Sequence, residues 1–365
     1  MSGPLHVDIA VEQGNFETRC SFSSDGGITA LFGRSGAGKT TVLRTIAGLV
    51  PGASGTIRLA DNVLLDTRRG IEVAAEKRRV GFVFQEGRLL PHLSVAANLA
   101  YGRHGGRGPT SAELSRMAGF LGIDHLLTRK PNMLSGGERQ RVAIGRAMMS
   151  QPALLLMDEP LASLDAARRA ELLPMIEAVR DEAGVPIVFV SHNVGEVARL
   201  AETLVVMDQG RTVASGPATA IFQRFETDAV LGQEEAGALL EGRVASFDPE
   251  FGIALVDLGG PSLELTQGGF AKGQHVRLRI LASDVSIALE ETAAALAGLS
   301  IRNRLSARIS AIAPETNGPH AELLLAVGQG ALRARVTRKS LTEMGLREGQ
   351  SVTALIKAVS VERRR

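Results

Sequence analysis

Cysteine is almost missing from this chain. One residue, Cys20, stands in 365, so no disulfide framework can form, and the composition fits a reducing compartment. Net charge is nearly missing too. Lys and Arg number 41 against 39 Asp and Glu, which leaves +2 and no broad basic field to demand nucleic acid. Long apolar runs are also lacking. None approaches the roughly 20 residues that a membrane-spanning helix needs. The first residues have neither the charged start nor the long apolar core of a signal peptide. Any work at a membrane is therefore expected to run through docking on another subunit from the cytoplasmic side. The length suits two domains.

What the chain does contain is phosphate chemistry. Gly33-Arg34-Ser35-Gly36-Ala37-Gly38-Lys39-Thr40 fits the pattern G-x-x-x-x-G-K-[ST], with Thr41 following. Residues 27–32 (GITALF) read as a buried strand. Residues 40–49 have helical apolar spacing and stop at Pro51-Gly52. The loop thus sits between strand and helix, where its backbone N–H groups can curl around phosphate oxygens at a positive helix end. Lys39 is placed to reach the β- and γ-phosphates, and the Thr40 hydroxyl to ligate Mg²⁺.

Three further strand-like runs end in polar residues. Residues 153–157 (ALLLM) lead into Asp158-Glu159-Pro160. Asp158 can hold Mg²⁺ through its water shell and Glu159 can serve as general base, or the pair can simply cap a turn. Residues 186–190 (PIVFV) deliver Ser191-His192; a lone His is open to a structural role or to γ-phosphate contact. Residues 80–84 (VGFVF) deliver Gln85, whose amide can meet Mg²⁺ or the attacking water. Farther along, Ser135-Gly136-Gly137 opens a helix that continues through Glu138. A hydroxyl, bare glycine N–H groups and a helix end make a second anion site.

These residues resemble the ATPase subunit of an ABC transporter. Gly33 to Thr40 resembles the Walker A loop and Gln85 the Q-loop. Leu134 to Glu138 resembles the signature, although Glu138 stands where Gln is usual. Leu154 to Asp158 with Glu159 resembles Walker B and its catalytic Glu. Residues 162–165, ending in Asp165, resemble the D-loop, and His192 the switch histidine. The match spans about residues 5–215. It implies an α/β P-loop NTPase fold, with a mostly parallel core sheet and a helical subdomain. It also implies ATP and Mg²⁺ as cofactors. The signature would close over the nucleotide of a partner chain, because one P-loop and one signature per chain cannot complete a site. A head-to-tail homodimer follows. Phe16 lies at about the distance expected for an adenine-stacking residue, and core packing is the equal alternative. Residues 86–99 resemble the region that receives a permease helix; helical-subdomain core is the other reading.

The texture changes after Gly216. The expected division is an ATPase domain over 1–225, a linker over 226–240 and a β-barrel regulatory region over 241–365. Short alternating runs there suggest small OB-like barrels. Residues 272–276 (KGQHV) and 348–352 (EGQSV) lie 76 residues apart and head similar segments. They suggest two related units of about five strands each. Between them, Ser300-Ile301-Arg302-Asn303 offers hydroxyl, guanidinium and amide donors for an oxyanion. A plain polar turn is the simpler reading of the residues alone.

This segment resembles the opening of a Mop domain, expected over 297–363, with the final strand at Ile356-Lys357-Ala358-Val359-Ser360-Val361. Cassette and Mop region together are similar to the family of molybdate import ATP-binding subunits. That resemblance implies a bacterial ATPase that energises molybdate import, peripheral at the cytoplasmic face of the inner membrane. Its partners would be two permease subunits and, indirectly, a periplasmic molybdate-binding protein, with no nucleic acid. Molybdate would be the cargo, or a regulatory oxyanion bound at Ser300, Arg302 and Asn303. Two alternatives stay open: an ABC importer of another solute (tungstate, sulfate, sugar or iron) and a soluble ABC ATPase. The second usually carries coiled-coil arms or two fused cassettes, and neither is seen.

Overall fold

A computed structural model describes residues 3–102, 108–266, 269–289, 298–313, 318–357 and 359–364. Ala297, residues 314–317 and Ala358, which fall within the expected Mop region, lie outside these residues. The chain divides into two compact units, Met1–Pro217 and Ala218–Arg365.

The first unit is built on one 11-stranded sheet. Its order runs Ile71–Glu72, Asn62–Asp66, Ser54–Leu59, Leu5–Gln13, Phe16–Ser24, Arg211–Pro217, Thr203–Asp208, Ile28–Phe32, Ile187–Ser191, Leu154–Asp158 and Val80–Val83. The last five strands are parallel to one another. Ile28–Phe32, Leu154–Asp158 and Ile187–Ser191 are buried at every position, so they read as continuous apolar runs. The strands Leu5–Gln13 and Phe16–Ser24 pair antiparallel and alternate buried with exposed residues, as one-faced strands must. Helices Val95–Tyr101, Ser111–Leu121 and Gly136–Met149 form a helical group beside the sheet's Val80–Val83 edge.

Parallel strands all point their C-terminal ends one way. Ile28–Phe32, Leu154–Asp158, Ile187–Ser191 and Val80–Val83 therefore deliver their following residues to one edge. That edge is where Gly33, Glu159, His192 and Gln85 begin.

The second unit holds two five-stranded sheets. One runs Ser262–Leu265, Ile253–Asp257, Gly237–Asp248, His275–Leu281, Ser360–Arg364. The other runs Val285–Leu289, Ser351–Ile356, Asn303–Ile312, His320–Val327, Gly330–Thr337. The two repeat copies do not form separate barrels. Val285–Leu289 follows the first copy's strand but pairs with Ser351–Ile356, while Ser360–Arg364 follows the second copy's strand but pairs with His275–Leu281. The copies exchange their last strands. The crossing turns meet where Lys357 N donates to Asp284 O at 3.2 Å. One core results, in which Val276, Leu278 and Ile280 share a cluster with Leu305, Ile309, Val352 and Ile356.

Residues 226–240, expected as a linker, belong to this second unit. Asp228 accepts from Arg333 Nη1 at 2.7 Å, and Arg333 is fully buried, also pairing with Glu322 at 3.0 Å. A buried guanidinium needs carboxylates around it, and the acidic stretch supplies one.

Candidate nucleotide site and the C-terminal turn

The glycine loop turns where only glycine fits. A Cβ at Gly33 would stand 2.2 Å from the Met207 carbonyl oxygen. Gly38 has φ +92 and lies against Thr18. Helix Lys39–Ile46 then starts with its N-terminus facing the loop. Lys39 is buried, and its Nζ donates to the carbonyls of Gly33 at 2.7 Å and Arg34 at 2.9 Å. Burial pushes its pKa down, and the Glu159 and Asp158 charges push back. Thr40 Oγ1 donates to Asp158 Oδ1 at 2.8 Å. Asp158 is buried, and desolvation raises its pKa against the Thr40 hydrogen bond.

A cavity of about 400 Å³ opens over this loop. Phe16, Ser35, Gly36, Ala37, Gly38, Lys39, Thr40, Thr41, Gln85 and Glu159 line it, so the candidate stacking residue, the loop and two candidate catalytic residues meet in one hollow. Phe16 is 39% exposed, which sets aside its core reading. Arg34 is exposed at the loop's apex and Asp158 sits behind Thr40. Glu159 has φ +45, a conformation costly for a residue with a side chain and common at functional sites. Its Oε2 is 3.4 Å from His192 Nδ1.

Leu134 to Glu138 does not line this cavity. Ser135 caps helix Gly136–Met149 by accepting from Glu138 N at 3.3 Å, and Glu138 Oε2 accepts from Ser135 N at 2.6 Å. The Glu that departs from the usual signature completes a capping box. The Ser135 hydrogen bonds hold its carboxyl below the usual range. A methyl at Gly136 would lie 3.5 Å from Leu164 Cδ2, so signature and D-loop segment are neighbours. Asp165 caps helix Ala166–Ala183, accepting from Arg168 N at 2.9 Å.

Within residues 86–99, Pro91 and His92 are exposed, while Val95, Asn98 and Leu99 are buried. Asn98 Nδ2 donates to the carbonyls of Leu90, Leu93 and Ser94 and its Oδ1 accepts from Leu90 N at 2.8 Å, which staples the segment. The later part of the stretch packs as helical-subdomain core, and the exposed Pro91–His92 tip is left at the surface.

The C-terminal turn is arranged differently. Asn303 is buried; its Oδ1 accepts from Glu264 N at 2.7 Å and its Nδ2 donates to Glu264 O at 2.9 Å. The amide acts as one more peptide on the edge strand Ser262–Leu265. Arg302 donates through Nε and Nη2 to the two Glu264 carboxylate oxygens, both at 3.0 Å. Ser300 is exposed. The three residues share one neighbourhood, and two of them are engaged by a single glutamate.

Sequence reasoning missed Glu264, and it missed a group behind His192 in which buried Ser191 and Glu196 meet the part-exposed Arg169. The Asn193-to-Glu196 spacing is a helix-start signal that can flag the second; nothing local flags Glu264.

Comparison with known proteins adds to this geometry. The ABC transporter family matches residues 20–162, and the TOBE domain matches residues 299–362. The molybdenum import ATP-binding protein ModC of Brucella abortus (strain 2308) is 48% identical over 363 residues, covering 100% of this chain and 98% of that protein. The protein of the same name from Rhizobium etli is 46% identical, covering 98% and 99%. Among solved structures, cbiO1 from Clostridium perfringens, part of the ABC transporter complex cbiONQ, superposes with a TM-score of 0.53. It is 23% identical and covers 63% of this chain and 96% of that one, a likeness of fold.

Proposed function

The chain belongs to the family of molybdenum import ATP-binding proteins, and from that premise we propose that it is the ATP-hydrolysing subunit that energises molybdate import. The single observation that carries the ATPase reading is the cavity where the Lys39–Thr40 loop, Gln85 and Glu159 converge.

Mg²⁺-ATP fits the donor set. The loop's N–H groups and Lys39 hold phosphate oxygens, and Phe16 offers a face for adenine. Thr40, Gln85 and Asp158 supply oxygen ligands of the kind Mg²⁺ takes alongside phosphates. Bound there, the ion neutralises charge that develops on the phosphates. Lys39 must leave the Gly33 and Arg34 carbonyls to meet phosphate, exchanging two neutral acceptors for a charged one. Glu159 then takes the proton of the attacking water, and His192, 3.4 Å from it, orients that water and the γ-phosphate.

Two copies make the working unit. Ser135, Gly136 and Gly137 present a helix N-terminus that does not reach the cavity of their own chain. A second copy in head-to-tail arrangement brings that anion site over the nucleotide. ATP binding therefore closes the pair and hydrolysis releases it. Membrane permease subunits receive the motion, with Pro91 and His92 at the exposed tip of the segment after Gln85. The complex sits at the cytoplasmic face of the inner membrane and takes cargo from a periplasmic binding protein.

The domain reading puts the ATPase in the first unit, Met1–Pro217, and the regulatory region in the second, Ala218–Arg365. Oxyanion would bind at Ser300, Arg302 and Asn303 and slow the ATPase. It must displace Glu264 from Arg302, because one guanidinium fork serves one bidentate partner at a time.

The test is ATP-driven molybdate uptake into vesicles that hold the permease subunits and this chain. Uptake should require ATP and vanish with Lys39→Ala. ATP hydrolysis coupled to sulfate or sugar instead, with no molybdate uptake, would move the chain to a different cargo.

A further inference from the structure

Behind His192 lies a set of polar groups, two of them buried, that phosphate chemistry does not use. Glu196 is in the first turn of helix Val194–Leu200 and is 6% exposed. Its Oε2 accepts from Ser191 Oγ at 2.6 Å. The same Ser191 oxygen accepts from Asn193 N at 3.0 Å. His192 therefore sits between two residues fastened to one hydroxyl, and that hydroxyl is fastened to Glu196.

The other carboxylate oxygen, Oε1, faces Arg169 Nε at 3.3 Å. Arg169 Nη2 donates to the Leu164 carbonyl at 3.2 Å. Leu164 precedes Asp165, the cap of helix Ala166–Ala183. One carboxylate thus joins the end of strand Ile187–Ser191 to the turn that follows Asp158 and Glu159. Glu196 is buried while the Arg169 side chain is 31% exposed, so the pair adds little stability of its own. What it adds is a fixed geometry between the two segments it joins.

We propose that Glu196 and Arg169 are positioning residues for ATP hydrolysis, a tie anchored on a buried carboxylate that holds His192 and the Leu164–Asp165 turn in register. The tie rests on the ATPase reading. It touches neither nucleotide nor water. It acts by keeping the imidazole 3.4 Å from Glu159 while the turn carrying Asp165 stays against the signature helix. Because Leu164 neighbours Gly136, a shift of the signature reaches His192 through three side-chain contacts: Leu164 to Arg169, Arg169 to Glu196, and Glu196 to Ser191.

Steady-state ATP hydrolysis by the full-length chain tests this, with thermal unfolding of each variant alongside. Glu196→Gln keeps an acceptor for Ser191 and loses the ion pair. It should lower kcat roughly 10- to 100-fold, the cost of a small misplacement of a catalytic group, and leave KM for ATP within about twofold. Arg169→Lys keeps the charge and cannot hold both Glu196 and the Leu164 carbonyl; it should show a smaller loss of the same kind. Glu196→Gln with Arg169→Gln should lose no more than the worse single variant, because the two act as one unit. Multiplying losses, or kcat at the wild-type value for folded Glu196→Gln and Arg169→Lys, overturns the tie. If Glu196→Gln does not fold, Arg169→Lys and Ser191→Ala decide it, with wild-type kcat in both again overturning it. A wild-type chain with no ATP hydrolysis, alone or with its membrane partners, would instead overturn the ATPase reading itself.

Discussion

The nucleotide cavity and the Ser300–Asn303 turn both gather anion-seeking groups, yet they leave those groups in opposite states. In the cavity, Lys39 is buried on two backbone carbonyls, Asp158 is buried behind a single hydroxyl, and Glu159 holds φ +45. Each is an arrangement that folding alone disfavours. In the turn, Arg302 is matched oxygen for oxygen by Glu264, and the Asn303 amide is spent on a strand edge. The first region stores unfavourable terms that a ligand relieves. The second is already satisfied, so a ligand there must compete. A ligand site is legible in a structure as much by what is left uncompensated as by which residue types are present.

Glu159→Gln should break the comparison most sharply. Hydrolysis should fall by about 10²–10⁴, the usual worth of a general base, while ATP still binds. Rate and nucleotide-binding measurements on one preparation check this, and wild-type turnover would remove Glu159 from the role. Asn303→Ala should act on stability instead. It strands a backbone N–H and C=O on the edge of Ser262–Leu265 and should cost about 1–3 kcal/mol in denaturant unfolding, with ATP hydrolysis unchanged per folded molecule.

Asp158→Asn should separate function from stability. Burial raises the Asp158 pKa above its unfolded value. Its contribution is then favourable below the unfolded carboxylate range and is lost as pH rises through the folded pKa. Near neutral pH the nucleotide-free chain carries a buried charge at a cost. The Asn variant should lose hydrolysis yet unfold at the same or higher temperature at pH 7, with the difference closing toward pH ~4. Arg302→Gln should do least to the fold. Its pair with Glu264 is exposed, and solvent screens it. Oxyanion binding by the full chain, measured by equilibrium dialysis with molybdate, should nonetheless weaken; unchanged binding would take Arg302 out of the site.

Legibility in the sequence followed the same division. The strands ending at Phe32, Val83, Asp158 and Ser191 were readable because buried parallel strands are short unbroken apolar runs, and each motif follows one directly. In the C-terminal region His275–Leu281, Asn303–Ile312, His320–Val327 and Gly330–Thr337 were readable from a different local pattern, short alternating runs. Val285–Leu289 was not set apart as a strand. The pairing of these strands was not readable. A repeat identifies related segments, whereas pairing depends on where the turns at Ala282–Asp284 and after Ile356 send the chain. Glu264 was illegible because its partners stand 38 and 39 residues away in sequence. The acidic stretch around Asp228 read as a linker because its buried counterion, Arg333, lies 105 residues on.

The central claim is that each ATP site is shared between two copies, and a mixing experiment tests it directly. Lys39→Ala disables a P-loop, and Gly136→Asp disables a signature. Each variant alone has one broken half at every shared site and should hydrolyse almost no ATP. Co-assembled, they create one site with an intact P-loop from one copy and an intact signature from the other, and hydrolysis should return. If the mixture stays as inactive as its parts while the mixed dimer is shown to form, the two motifs do not meet across a dimer and the account is contradicted.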